Sequence, residues 1–394
     1  MPEPHRRPRR APLALAFAIV ASLCALAQVK AVTAQIATPV AGASGLPGMR
    51  ADTESLGSRR PTLEALGLAG GGTTVRATDV DAFLAIGFSY LGPKGLEVSV
   101  RVDLVEGGWT EWTSLERAGE STETSAPERR FTEPLAMGQP ARGYEVVVPA
   151  GATDVRVHLI REDATKTEPR EVGPTTLSPS AAGDGIPGPD GIRSRASWGA
   201  RVRNQTDGCG WGARPEGRGC VATDGVIHAV VHHTVHANDY PASAVPTILR
   251  SIQAFHMDAQ GWDDIGYNFL VDRFGTIWEG RAGGADRPVV GAHTMGFNTS
   301  SVGVAIVGTF ESAVPTAATL ESVSTVIAWK FAQRNVDPLG STVLVSHGGD
   351  LSPEFELVPM DNIAGHRQLG QTSCPGAQVM SRLPQIRQLV AELM

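Results

Sequence analysis

Apolar positions along this chain fall into two regimes. Between residues 73 and 160 they come as short runs, Phe83 to Tyr90, Leu96 to Leu104, Tyr144 to Val148 and Val155 to Ile160, separated by Gly and Pro clusters. Runs of that length and spacing predict an all-β, sandwich-like domain. From about residue 191 onward, strand-like and helix-like patterns alternate. Val226 to Thr234 is nearly all apolar and ends in the adjacent pair His232 and His233. It predicts a strand covered on both faces whose last two side chains point to opposite sides. A helix is predicted from about Ser243 to Asp258, with Ile248, Leu249, Ile252 and Phe255 on one face and Pro246 in the first turn. Asn268 to Val271 and Thr276 to Gly280 predict a hairpin, and Ser301 to Gly308 a second buried strand. Further helices are predicted from Thr316 to Asn335, stopped by Asp337-Pro338, and from Ala377 to Leu393. The expected fold class is α/β, a mixed β-sheet flanked by helices, preceded by the β-sandwich-like domain.

The segments without such patterns set the domain limits. In residues 1–34, Arg6, Arg7, Arg9 and Arg10 precede the apolar run Ala11 to Ala27 and the small-residue pattern Val32-Thr33-Ala34. That is the layout of a secretory signal peptide, so the mature chain is expected to be secreted or held in the cell envelope. The apolar run is short and alanine-rich for a membrane span. Residues 35–70, rich in Ala, Gly, Ser and Pro, predict a flexible lead-in to the β-rich domain at 71–162. Residues 163–190 are charged, then Gly/Pro-rich, and predict a solvated linker before a domain at 191–394.

Loss of the signal removes five basic and one acidic side chain from totals of 34 and 41, leaving 29 and 40. An acidic chain with no basic stripe and no polybasic run is not expected to bind nucleic acid or an anionic membrane surface. Three cysteines remain, Cys209, Cys220 and Cys374. The first two flank a Gly-rich loop, where a disulfide would contribute about 2 to 3 kcal/mol by the chain-entropy estimate. Cys374 is then left as a free thiol or a metal ligand. In the β-rich domain Trp109 and Trp112 are expected on opposite faces of a regular strand, packed in the core or stacked on sugar rings, and nothing there carries a catalytic pattern.

Chemistry concentrates in Gly365-His366-Arg367-Gln368-Leu369-Gly370-Gln371-Thr372-Ser373-Cys374-Pro375-Gly376. A histidine and a cysteine eight apart in a Gly-rich loop, joined by one strand histidine, make three donors and leave a tetrahedral position for water. Catalytic zinc has that stoichiometry; structural zinc normally has four protein ligands. On the residues alone, structural roles for these histidines remain open.

Six segments carry a more specific signal. Arg-Ala-Ser-Trp-Gly-Ala, Val-Val-His-His-Thr, Gly-Trp-Asp-Asp-Ile-Gly-Tyr-Asn-Phe-Leu-Val, Gly-Ala-His with Asn five residues on, Ser-Val-Gly-Val-Ala-Ile-Val-Gly, and Gly-His-Arg with Thr-Ser-Cys-Pro-Gly occur in that order over residues 191–380. They closely resemble the peptidoglycan recognition protein family, which is related to zinc N-acetylmuramoyl-L-alanine amidases of the bacteriophage lysozyme type. The resemblance implies Zn2+ held by His232, His366 and Cys374, with Tyr267 and Thr372 as catalytic side chains. It implies a groove lined by His256, Tyr267, His293 and Asn298. The implied partner is peptidoglycan or its muropeptides, bound by a monomer, and the implied reaction is hydrolysis of the amide between N-acetylmuramic acid and L-alanine. Binding-only relatives commonly lack the cysteine, which is present here. Three competing readings are a binding module that does not cut, a Cys374 nucleophile with His366 as base, and a purely structural metal site. The chain departs from the family's usual pattern at Ala282 to Val290, which is longer, at Gln260, where an arginine is frequent, and at Gly348 to Asn362, an insertion expected to cover the cleft as a lid.

Overall fold

The computed structural model describes residues 46–56, 63–69, 72–93, 95–118, 129–177, 188–204, 213–216 and 219–394, with backbone alone for 63–69, 213–216 and 219. The signal segment and Cys209, with the loop-closing bridge expected of it, lie outside these residues.

Ten antiparallel strands form the first sheet: β1 (Gly48–Ser55), β2 (Leu63–Ala69), β3 (Gly72–Ala77), β4 (Phe83–Leu91), β5 (Val98–Leu104), β6 (Gly108–Trp109), β7 (Thr113–Leu115), β8 (Arg129–Phe131), β9 (Leu135–Val148) and β10 (Thr153–Asp163). The long β9 pairs with β4 through its first half and with β3 and β5 through its second. That change of partners folds the sheet around one core of Phe83, Ile86, Phe88, Val100, Tyr144, Val146, Val157 and Leu159. β1 and β2 fall in the stretch expected to be a flexible lead-in. They are strands because β10 and β3 offer them edges with matching register, which composition does not reveal.

The second sheet has seven strands in the order β11-β12-β17-β16-β18-β15-β21. These are β11 (Thr176–Leu177), β12 (Ile192–Arg193), β15 (His228–His233), β16 (Phe269–Val271), β17 (Ile277–Glu279), β18 (Ser301–Ile306) and β21 (Ile363–Gly365). Two hairpins stand apart from it, β13 (Ala213–Glu216) with β14 (Gly219–Ala222), and β19 (Ser341–Val345) with β20 (Leu357–Asp361). β15 is parallel to both neighbours, β18 and β21, and buried throughout, as its apolar run requires. The sheet is mixed, because β16 and β17 run antiparallel.

Helices α1 (Val245–Ala254), α2 (Ala317–Ala332), α3 (Ala377–Met380) and α4 (Leu383–Leu393) cover this sheet. Thr316 caps α2 by accepting the Thr319 N–H at 3.1 Å. The single helix expected from Ala377 to Leu393 is two, because Pro384 removes a backbone donor and restarts the helix in its own first turn. The predicted helix ending at Asp258 leaves α geometry at Phe255, and Phe255–Ala259 form a π-turn that carries His256.

The seam between the β-rich and α/β parts follows from strand alternation. Ile86, Phe88 and Tyr90 of β4 face the β-core, while on the other side Ala85 packs in the cluster with α1, Gly87 meets Phe255 just past its end, and Ser89 meets His158. A Cβ at Gly87 would overlap the Phe255 ring, so glycine there allows the close approach. Met49, Leu84, Ala136 and Ile160 share one buried cluster with Trp198, Ile248, Leu249 and Ile252. Fully burying each such aliphatic side chain contributes roughly 1.5 to 3 kcal/mol. The expected solvated linker is also partly folded: Glu168 and Arg170 are buried, and Glu168 pairs with Lys166 at 3.0 Å and Arg201 at 3.2 Å. Trp109 and Trp112 are 38% and 42% exposed rather than core, and both stack on Arg101, at 5.2 and 5.1 Å. They share a side because the chain leaves regular strand geometry between them.

His158 of β10 lies on this seam. Its Nδ1 and Nε2 sit 2.8 Å from Thr53 Oγ1 and Ser89 Oγ, and its ring packs edge-on to Phe255 at 5.9 Å. Burial, with Arg129 and Arg156 nearby, brings it down to about 4 from 6.5. The folded chain therefore refuses a proton that the unfolded chain accepts, and stability is lost as pH falls from about 6.5 to about 4. The loss is on the order of 3 kcal/mol. Urea unfolding across that range should show His158→Gln with a shallower pH dependence than wild type; equal slopes would remove His158 as the cause.

Candidate metal centre

Two parallel strands bring the donors together. Register pairs Val231 of β15 with Gly365 of β21, so the next residues, His232 and His366, emerge side by side at the carboxyl edge of the sheet. Their rings lie 4.5 Å apart. The 3₁₀ turn His366–Gln368 and the loop after it then return the chain so that Cys374 Sγ accepts the His233 backbone N–H at 3.3 Å. Cys374 is a free thiol.

The ligand atoms of His232, His366 and Cys374 all lie within 4.8 Å of one another, and Cys374 Sγ is 3.7 Å from His232 Nδ1. Zn–N and Zn–S bonds at tetrahedral angles place such atoms about 3.6 Å apart. The donor set thus fits a metal ion by spacing and by chemistry. A second group, Glu116, His233 and Cys374, is equally close. His233 is already committed there, its Nε2 2.9 Å from Glu116 Oε1 and its Nδ1 accepting the Phe310 N–H at 3.3 Å. His232, His366 and Cys374 are therefore the group left able to hold an ion.

Burial pushes His232 down and brings His366 to about 4, so both imidazoles keep their lone pairs near neutral pH. Burial pushes the Cys374 thiol well up, with Glu116 adding to the effect. Ligation must therefore displace a proton from sulfur.

The other expected site residues are also near, in different roles. Tyr267, just before β16, has its ring 5.4 Å from that of His232. Its phenol is pushed well above the usual range by burial and by Glu133, to which its Oη donates at 3.2 Å. Thr372 Oγ1 accepts the Cys374 N–H at 3.1 Å and donates to Glu116 at 2.7 Å. His293, expected in the groove, also braces a candidate donor: its Nδ1 is 3.1 Å from His232 Nε2 and 3.0 Å from Thr294 Oγ1. Holding the far nitrogen of a ligating imidazole fixes ring orientation and tautomer. A Cβ at Gly303 of β18 would overlap the His293 ring, so the glycine makes room for it. Asn298 orders the same turn, its Oδ1 accepting the N–H groups of His293 at 2.8 Å and Thr294 at 2.9 Å. His256 is buried against Trp262 at 4.6 Å, with Nδ1 accepting the Gly266 N–H.

Sequence reasoning missed Glu116, Arg117 and Glu133, all from the β-rich domain. Thr372, Ser373 and His233 converge on the Glu116 carboxylate. Burial alone would raise that carboxyl, but these hydrogen bonds and the His233 charge hold it down at about 2. Glu133 reaches Tyr267, and Arg117 pairs with Asp350 at 2.7 Å. The insertion expected to form a lid contributes Asp350 to this contact, while its later part is β20 of a hairpin. Separations of 117 to 257 residues leave no local pattern that would reveal such contacts.

Comparison with known proteins follows the same residues. A family profile described as N-acetylmuramoyl-L-alanine amidase matches residues 223–377. Peptidoglycan-recognition protein SC2 of Drosophila melanogaster is 31% identical over 173 residues, which span 44% of this chain and 80% of the fly protein. A human N-acetylmuramoyl-L-alanine amidase is 38% identical over 173 residues, 43% of this chain but 26% of the human protein's length. Among solved structures, wild-type Drosophila PGRP-LB aligns at 26% identity over 48% of this chain and 90% of its own, with a TM-score of 0.35. A conserved-length match of this extent settles the class: the chain belongs to the peptidoglycan recognition protein family, the group that includes these amidase and recognition domains.

Replacing Cys374 with Ala should lower bound metal at least tenfold by elemental analysis while the chain stays folded. Because the thiol must lose its proton, calorimetry in buffers of different ionisation heat should register about one proton released per ion bound by wild type. No proton release would take the sulfur out of the donor set.

Proposed function

We propose that this chain is an exported, zinc-dependent N-acetylmuramoyl-L-alanine amidase. It would hydrolyse the amide between the lactyl group of N-acetylmuramic acid and L-alanine in peptidoglycan. The single observation that carries the reading is the convergence of His232, His366 and Cys374 beside Tyr267, three donors rather than four. Family membership supports the reaction class. Zn2+ held there supplies Lewis acidity toward a carbonyl and a water.

The chain's own residues do the rest. His293 and Thr294 hold the His232 ring, so the ligand direction is set before substrate arrives. Tyr267, its ring 5.4 Å from that of His232, would turn the O–H it now donates to Glu133 toward the oxygen that gains charge when the amide carbon becomes tetrahedral. Thr372, anchored by the Cys374 N–H, would offer a second hydroxyl beside the sulfur once released from Glu116. Burial of the donors and of Tyr267 keeps bulk water from weakening these bonds. The signal-like segment supports export, and the acidic mature chain supports a partner other than nucleic acid or anionic membrane.

Tyr267→Phe should keep its metal and lose roughly 10²- to 10³-fold in rate. Mass spectrometry of digested wall, with and without a chelator, reads both points. Undiminished release by Tyr267→Phe would overturn the role of the phenol, and chelator-resistant release would overturn the metal mechanism in favour of a thiol nucleophile.

A further inference from the structure

The three candidate donors and Tyr267 are almost wholly covered, His232 1% exposed, Tyr267 4%, Cys374 4% and His366 6%, while Thr372 is half-buried. A glycan strand bearing peptides is far too large for such a site as it stands. What covers it is one edge of the β-rich domain, built from residues 113–118 and 131–135. Backbone bonds from Glu133 N to Glu116 O at 2.7 Å and from Ala118 N to Phe131 O at 2.9 Å lock these two stretches side by side, so both carboxylates leave the same edge.

Their targets are not arbitrary. Both hydroxyls given a catalytic role are taken: Tyr267 Oη donates to Glu133, and Thr372 Oγ1 donates to Glu116. Ser373 Oγ and His233 Nε2 complete a ring of polar atoms around the Glu116 carboxylate, immediately beside Cys374. A planar anion gripped by those groups resembles the charge distribution of a substrate carbonyl under attack more than it resembles a chance surface contact. Arg117, itself buried, adds an ion pair to Asp350 of the insertion in the α/β part.

The open space nearby agrees with closure at this point. A groove of about 920 Å³ runs between the β-rich and α/β parts, past Trp112, Met137, Asn238 and Tyr240, and its lining includes Glu116 and Ser373. None of His232, Tyr267, His366 or Cys374 lines it. Glu116 therefore stands between an accessible groove and the donor cluster.

We propose that the β-rich domain is a resident occupant of the substrate cleft. Glu116 and Glu133 fill the positions of the reacting acyl group, and the wall polymer gains entry only when the edge bearing them withdraws. The inference rests on the amidase reading for the meaning of the occupied hydroxyls. The apolar seam along α1 meets this edge at Phe131, so withdrawal of the edge frees Phe131 while Met49, Leu84, Ala136 and Ile160 stay packed on α1.

The test uses the mature chain carrying Glu116→Ala with Glu133→Ala, and separately Arg117→Ala, which keeps both carboxylates should the double variant fail to fold. In metal-free protein, maleimide labelling of Cys374, read by mass spectrometry of its peptide, should be at least tenfold faster in a folded variant than in wild type. Co-sedimentation with purified wall should rise in parallel, and release of stem peptides by zinc-loaded protein should rise at least tenfold. Unchanged labelling in both variants overturns the proposal. Faster labelling with slower release also overturns it, since the carboxylates would then be serving the reaction. Faster labelling and stronger sedimentation, with no release from any form, keep the closed cleft and sink the amidase reading instead.

Discussion

Everything at the metal centre depends on β15 being hydrogen-bonded along both edges to parallel neighbours. A parallel pair has fixed register and direction, so the residues just past the strand ends arrive together on one side of the sheet. Val231 opposite Gly365 leaves His232 and His366 no choice but to be neighbours. β18 on the other edge brings Gly303, and with it the space in which His293 props the His232 ring. The buried β15 therefore holds His232 with strand rigidity, and the turn and loop that carry His366 and Cys374 are pinned against it through β21 and the His233 N–H.

Much of this was legible because it is written locally. An all-apolar run marks β15, a proline and an i, i+3, i+4 stripe mark α1, and the metal donors sit in short segments whose order matches a known family. The failures are of a different kind. β1 and β2 have ordinary, weakly patterned sequences and are strands only because partners accept them. Trp109 and Trp112 escape the core because the strand between them is irregular, which period-two reasoning assumes away. His293 and Asn298 also hold structural positions that no local pattern reveals, one against His232 and the other in the turn that carries His293. Glu116 and Glu133 were invisible because a carboxylate in a β-rich domain carries no mark of the hydroxyl it will meet in another.

Satisfying buried polar groups and leaving them available for chemistry are opposed demands. Tyr267 would be costly to bury with an empty hydroxyl, and Glu133 removes that cost, as Glu116 does in part for the half-buried Thr372 and Ser373. The same contacts spend the groups that a reaction needs. The domain boundary, usually treated as a place where two cores merely touch, here coincides with the chemistry.

Gly303 shows how far from the donors this centre can be tuned. Its missing side chain is what allows the His293 ring to reach His232, so even a methyl group there would tilt an imidazole that no substitution has touched. A lineage could then weaken its hold on the cation while every ligand stays in place, and inspection of the ligand set alone would misjudge it as intact. Measuring cation affinity in a Gly303→Ala chain would reveal whether an empty position governs the strength of an occupied one.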